Sequence, residues 1–184
     1  MASNKVVISL RLEGIRPLMF DRYAGDNNTR LPGEEKMYLT PDMGLIMPAL
    51  NILSLLTAEN TKSVCRQFFG KNGKTVALGI SSFTAISPFE IPIRDNAGPI
   101  FFTGWNKQLN IKRHVARLKN GIPNPKERPT LELPWNLEFK IEYTDNRLCT
   151  IENLRQAFDM GGVMGLGTFR PMFGRYELSK WDVA

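Results

Sequence analysis

"FDMGGVMGLGTFRPMFGRYEL", residues 158–178, contains four glycines within seven residues, at positions 161, 162, 165 and 167. The residues before this run have helical periodicity, and those after it have strand periodicity. A dinucleotide-binding glycine loop has the reverse arrangement, because it follows a strand and opens a helix. The stretch is therefore predicted to be a backbone-lined turn that leads from a helix into a strand.

The segments next to the glycine run support this prediction. TIENLRQAFDM (150–160) has apolar residues at 151, 154, 157 and 158, which share one face of a helix. Thr150 is placed to cap the start of that helix. FGRYELSKW (173–181) is predicted to be the closing strand.

Two further strands are predicted from alternation. VVISLRLEG (6–14) and WNLEFKIEYTD (135–145) alternate apolar and polar residues, as half-buried strands do. Residues 74–93 are rich in β-formers, so we expect a long strand there, broken by Pro88.

The remaining segments are a helix and an insertion. A buried helix is predicted from Pro48 to Gly70. Residues 94–134 have no long apolar period, and 106–121 is predicted to be a short basic helix within them. The order is βαββαβ, which predicts an α+β fold of the ferredoxin-like or RRM-like split βαβ type. The insertion lies between its second and third core strands.

Composition limits the class of protein. A chain of 184 residues, 42% hydrophobic and 23% charged, is most economically one domain, 1–184, with a substantial core. Nothing in it suggests a membrane span or an export signal. Cys65 and Cys149 are expected to be reduced core thiols, which fits a cytoplasmic protein. Two scattered cysteines and one histidine cannot form an ordinary zinc site, so no metal or other cofactor is expected.

Positive charge is concentrated in the insertion. Residues 107–128 carry seven Lys or Arg side chains and one Glu, a net charge of +6 that equals the net charge of the whole chain. The rest of the chain therefore balances to zero. Such a concentration favours binding to a polyanion. A solvated basic segment that aids solubility is the plainer explanation.

The candidate binding residues combine these cations with the glycine run. Backbone N–H groups freed by glycine, with Arg170 and Arg175 beside them, could hold a phosphate. Phe169 could stack on a base. A helix cap with structural arginines is the alternative. The candidate residues are Lys107, Lys112, Arg113, His114, Arg117, Lys119, Gly161, Gly162, Gly165, Gly167, Phe169, Arg170 and Arg175.

Catalytic patterns are scarce. His114 is the only histidine and could act as a general base in RNA cleavage, but a histidine among cations is more often part of a binding face. Asp21 and Asp26 could assist metal-dependent chemistry, although a cap or turn role is the ordinary one. No catalytic residue is assigned, and an enzyme is not indicated.

The combination of a βαββαβ core, a glycine-rich loop before the last strand and a basic insertion resembles the RAMP superfamily of CRISPR-associated proteins. The insertion, 94–134, resembles the thumb of their backbone-forming subunits. The opening GIRPLMFDRY (14–23) and the closing GLGTFRPMFGRYEL (165–178) are also similar to the two ends of a set of mostly uncharacterised phage proteins. The Arg-Pro after the glycines is not a general RAMP feature.

The resemblance implies a function. RAMP backbone subunits polymerise along a guide RNA and hold its phosphates. We therefore expect a non-catalytic protein that coats single-stranded RNA or DNA, with RNA favoured, as a homo-oligomer or filament. It would be phage-encoded or part of a CRISPR-type ribonucleoprotein complex with other subunits. An endoribonuclease that uses His114 and an inhibitor that mimics a RAMP subunit are the alternatives.

Overall fold

The structure is a computed structural model, and it describes residues 5–26, 28–59, 62–117, 121 and 123–184. The elements in chain order are β1 (Lys5–Gly14), β2 (Leu18–Met19), β3 (Ile46–Pro48), α1 (Ala49–Thr57), α2 (Val64–Phe68), α3 (Gly73–Phe83), β4 (Thr84–Ser87), β5 (Glu90–Arg94), β6 (Leu109–Arg117), β7 (Pro123–Leu131), β8 (Asn136–Thr144), α4 (Ile151–Met164) and β9 (Tyr176–Val183). No helix in this part of the chain is long and apolar enough to cross a membrane.

The main sheet is antiparallel and has the strand order β3-β5-β8-β1-β9, with β4 also paired to β8. The two predicted alternating strands are its centre, where Ile8 lies opposite Ile141 and Leu12 lies opposite Leu137. The first and third core strands are thus neighbours, and the last strand lies outside the first. This arrangement confirms the α+β split βαβ fold.

The core lies between the helices and one face of this sheet. The alternation in β1 places Ile8, Leu10 and Leu12 in the core, and Leu154 and Phe158 of α4 join them. Each such side chain contributes roughly 1.5–3 kcal/mol when fully buried. The packing of the helices on the sheet therefore stabilises the fold. Cys65 and Cys149 are free and buried, as expected.

The prediction for residues 74–93 is only half right. Residues 73–83 are helix α3, and the strands β4 and β5 follow it. The β-forming residues misled the prediction, because Val76, Ala77 and Ile80 are buried together on one helical face. The helix predicted from Pro48 to Gly70 is likewise two helices, α1 and α2. Tertiary packing overrides local propensity in both places.

The basic helix predicted within the insertion is wrong. Strands β6 and β7 pair as an antiparallel hairpin, and β7 also pairs with β2 in a separate three-stranded sheet. The carbonyl of Pro129 accepts from the Phe20 N–H at 2.9 Å. The backbone of Pro129 therefore points away from β6. Pro125 and Pro123 are two and three pairs of residues before it and point to the same edge of β7. Their missing N–H groups therefore cost no hydrogen bond between β6 and β7.

Trp135 lies between β7 and β8 and packs against the end of β1. Its side chain is 1% exposed, and its Nε1–H donates to the Arg16 carbonyl at 2.8 Å. A Cβ on Gly14 would come within 2.2 Å of the indole, so glycine is needed for this approach. The indole thus holds residues 14–16 in place.

We expect Trp135→Phe to lower the free energy of unfolding by about 2 kcal/mol, because it leaves a cavity and a carbonyl without its donor. Urea denaturation followed by circular dichroism measures the change. Trp105→Phe is the control, since Trp105 is 41% exposed, and should cost less than about 1 kcal/mol. Equal losses in the two variants would contradict the role given to Trp135.

A candidate nucleic-acid interface

The first two glycines of the run belong to a helix. α4 continues past the predicted end at residue 160 and includes Gly161 and Gly162, both buried. A Cβ on either glycine would come within 2.3 Å of Tyr176, which lies in β9. Tyr176 in turn donates its hydroxyl to the Phe158 carbonyl at 2.9 Å, and burial raises the pKa of that hydroxyl. These two glycines bring the helix close to the last strand.

The loop itself begins at Gly165, where φ is 85°, and residues 15–19 hold it. The Gly174 N–H donates to the Pro17 carbonyl at 2.7 Å, and the Thr168 N–H donates to the Met19 carbonyl at 3.0 Å. The Arg175 carbonyl accepts from Ile15 at 2.9 Å. The two motifs at the ends of the chain therefore pair with each other through their backbones.

One face of the hairpin lies against this loop. In the register of β6 and β7, Lys112 is opposite Arg128 and His114 is opposite Lys126, so the four side chains share a face. The His114 ring centroid is 5.4 Å from that of Phe169 and 5.8 Å from that of Phe173. We define the junction surface as Lys112, His114, Lys126, Arg128, Phe169 and Phe173.

Cations lie over both loop aromatics. The Arg128 guanidinium carbon is 4.6 Å from the Phe169 ring centroid, and Lys112 Nζ is 5.7 Å from the Phe173 centroid. Contacts of this kind contribute roughly 0.5–2 kcal/mol each. Phe169 also has a φ of 55°, which is rare outside glycine. The contacts with the hairpin compensate for that strain.

Arg128 is the most buried cation of the junction surface. It is 5% exposed, and its Nε donates to Asp21 Oδ2 at 2.8 Å. Lys126 Nζ lies 3.7 Å from the same oxygen. Within the described residues, Arg128 Nη1 has no hydrogen-bond partner. Asp21, a candidate for metal chemistry in the sequence, thus lies in an ion-pair cluster that joins residues 20–22 to the hairpin.

Two other lysines contact oxygens next to or within the hairpin, and of the two only Lys112 is paired with a described carboxylate. Lys112 Nζ lies 2.6 Å from Glu132. Burial raises the pKa of Glu132, but hydrogen bonds from Lys112 and Asn110 outweigh it and lower that pKa overall. Lys36 Nζ donates to the Glu127 carbonyl at 2.5 Å. Burial lowers the pKa of Lys36, although the charge of Asp21 opposes the shift.

Arg170 separates two clefts beside the junction surface. The first has a volume of about 270 Å³ and lies between the loop, α1 and residues 20–22. The second, of about 660 Å³, lies between the loop and the ends of α2 and α4.

Burial lowers the pKa of Arg170, and its Nη1 is 3.5 Å from the Gly165 carbonyl. In the part of the chain that the structure describes, no carboxylate forms an ion pair with Arg170. Its positive charge is available to a ligand.

The other candidate residues are spread more widely. Arg113 points to the opposite face of the hairpin, where its Nε is 2.6 Å from Glu127. Lys107 is exposed in the turn before β6, and Arg175 lies just before β9 with its Nε buried. Arg117 ends β6, but its side chain is outside the described part, as is all of Lys119. The structure therefore brings together Lys112, His114, Phe169 and Arg170.

Several residues of this region were missed in the sequence. Lys126 and Arg128 belong to the basic cluster of the sequence but were not among the candidate binding residues. The helix predicted over 106–121 ends before them and does not place them beside Lys112 and His114. Alternation along a hairpin would have done so. Arg22 and Tyr38, which line the first cleft, had no signal apart from the position of Arg22 in the opening motif. Among the described residues, no three His, Cys, Asp or Glu side chains are grouped to hold a metal ion.

Comparisons with known proteins agree with the fold. No family model matches the sequence, and no curated protein matches it. Among solved structures, the chain is similar to one from "Cryo-EM structure of the Type III-B Cmr-beta bound to cognate target RNA", with a TM-score of 0.62 and 14% identity. The match covers 98% of this chain and 61% of the other, so this chain spans less than two thirds of its neighbour. The chain thus shares the fold of that neighbour, a ferredoxin-like α+β core, and in this chain a basic hairpin lies between the second and third core strands.

Proposed function

We propose that the protein binds single-stranded nucleic acid, RNA in preference to DNA, across the junction surface and Arg170. It coats the strand as a homo-oligomer, within a ribonucleoprotein complex of the CRISPR type or a phage system inside the host cell. The hairpin acts as the thumb of each copy. We assign no bond cleavage to the protein.

The observation that carries this proposal is the junction surface. Its cations come from residues 112–128 and its aromatics from residues 169–173, and the fold places them together. Cations beside aromatic rings bind single strands, because phosphates are neutralised while bases stack. Arg170 extends the same surface with a charge that no described carboxylate neutralises.

The fold likeness supports the choice of RNA. The solved neighbour belongs to a complex bound to cognate target RNA, and it matches nearly the whole of this chain. A shared fold does not transfer a function. It does favour RNA among the ligands that the junction surface suits.

Arg170→Gln tests the proposal. We expect about a fivefold loss of affinity for fluorescein-labelled 30-nucleotide oligouridine and oligoadenosine alike, because a phosphate contact carries no sequence information. The slope of log K against log salt should fall by roughly 0.7. Fluorescence anisotropy from 50 to 200 mM salt measures both quantities.

Arg155→Gln is the matched control, since Arg155 is exposed on α4 and lines neither cleft. Wild-type protein without affinity for either strand at low salt would overturn the proposal and favour a protein-interaction module. RNA cleavage by wild type but not by His114→Ala would favour the endoribonuclease. Homo-oligomeric coating predicts that the apparent mass of the protein rises with strand length and falls after nuclease treatment.

A further inference from the structure

We propose that the first cleft is a pocket for a single nucleotide, with the base inside and the phosphate at the rim. This inference rests on the proposed function and adds to it a site for one unstacked base. The cleft has a buried apolar floor, one aromatic wall, hydrogen-bonding side chains and a cationic rim. Each of these features matches one part of a nucleotide.

The floor and wall suit the faces of a base. Phe20, Met47, Leu55 and Leu166 line the floor, and none is more than 4% exposed. Tyr38 forms the wall, and the Arg22 guanidinium carbon lies 5.9 Å from its ring centroid. A planar base that enters the cleft removes its apolar faces from water, and an aromatic wall favours stacking.

Side chains with both donors and acceptors lie where the edge of a base would reach. Asn51 and Ser54 extend from α1, and Thr168 extends from the loop on the other side. The Asn51 Nδ2 contact is with Met47 Sδ at 3.8 Å, a weak partner for an amide donor. An amide and two hydroxyls can satisfy the donors and acceptors of a base.

The rim carries the charge that a phosphate needs. Arg22 and Arg170 line the cleft, and Asp21 is its one carboxylate among the described lining residues. The Asp21 charge is already balanced by Arg128 at 2.8 Å. The rim is therefore net positive toward a ligand, which favours an anion over a neutral molecule.

The size of the cleft limits its occupant. About 270 Å³ is near the lower end of the roughly 300–1,000 Å³ of small-molecule sites. That space suits one base and excludes a stack of several. Gly167, Thr168 and Arg170 line the second cleft as well, so the strand can leave the pocket across Arg170.

Photocrosslinking locates the base directly. An oligouridine with 4-thiouridine at scanned positions is irradiated with the protein, and mass spectrometry identifies the modified peptide. We expect a crosslink at Tyr38 or Phe20, residues outside the junction surface. Free 4-thiouridine monophosphate at the same concentration should give no such crosslink. A crosslink there from the free nucleotide alone would assign the pocket to a free ligand instead and overturn the strand assignment.

Two variants test the pocket independently. Ser54→Trp places an indole in the cleft from an exposed position, and Tyr38→Ala removes the stacking wall. Both should weaken oligouridine binding about tenfold, the effect of losing one stacked base. Tyr38→Phe should bind as wild type does, because it keeps the ring. Tyr23→Ala is the control, since Tyr23 is 64% exposed and does not line the cleft.

The outcomes separate this inference from the proposed function. If wild type binds oligouridine but both variants bind as tightly, or no crosslink reaches Tyr38 or Phe20, the pocket assignment is wrong and strand binding stands. If wild type binds no strand, both proposals are wrong. A tenfold loss confined to Ser54→Trp and Tyr38→Ala supports the pocket.

Discussion

Replacing Lys112 and Lys126 together with glutamine is expected to lower the affinity for single-stranded RNA by about 30-fold or more at 50 mM salt. Each lysine that contacts a phosphate contributes roughly 0.7 to the salt slope, so the slope should fall by about 1.4. The loss is large because Glu132, now without its partner Lys112, repels the phosphates. Asp21 keeps its ion pair with Arg128 at 2.8 Å and adds little to this repulsion.

The double variant Arg113→Gln, Lys140→Gln is the matched control. It removes the same net charge, but Arg113 lies on the opposite face of the hairpin and Lys140 is exposed on β8. We expect its affinity to fall less than threefold, because distant exposed charges are screened. Similar losses in both double variants would show a general effect of net charge and would argue against the junction surface.

Gly174→Ala is expected to lower the free energy of unfolding by about 4 kcal/mol. Gly174 has a φ of 73°, and a Cβ there would lie 1.9 Å from the Leu166 carbonyl oxygen. Backbone cannot rotate aside as a side chain can, so the loop must shift. The shift disturbs the bond from the Leu166 N–H to the Gly174 carbonyl and the bond from Gly174 to Pro17. For a chain of this size the melting temperature should fall by roughly 8–16 °C.

Gly70→Ala separates the clash from the backbone conformation. Gly70 also has a positive φ, 53°, but nothing lies within 4 Å of a Cβ built there. This variant should lose only about 1 kcal/mol, the cost of the left-handed conformation for a residue with a side chain. Differential scanning calorimetry compares the two. Equal melting temperatures in the two variants would mean that the close contact between Gly174 and the Leu166 carbonyl does not stabilise the fold.

Local patterns were sufficient for much of the fold. Alternation in residues 6–14 and 135–145 identified the central strands, because a strand with one face on the core must repeat every second residue. Thr150 identified the start of α4, and its hydroxyl accepts from the Asn153 N–H as the capping motif requires. The order of these elements then led to the split βαβ topology, which short connections favour.

Local patterns were misleading where propensity and packing disagree. Residues 74–83 have the composition of a strand, yet their apolar side chains fit the core only at helical spacing. The charged residues of β6 resemble a basic helix, but register with β7 makes them a hairpin. Neither result follows from neighbours in the sequence, because the partner that decides it lies elsewhere in the chain.

The residues alone were enough to place Gly165 and Gly167 between the last helix and the last strand and to exclude a dinucleotide loop, whereas Gly161 and Gly162 lie within α4. The sequence also showed where the positive charge is concentrated. Which glycines serve packing and which line a loop depended on long-range contacts. Tyr176 is 14 positions from Gly162, and Pro17 is 157 positions from Gly174. The junction surface and the first cleft depended on the same kind of contact. Long-range pairing creates surfaces that periodicity cannot encode, since periodicity reports only which face of one element is buried.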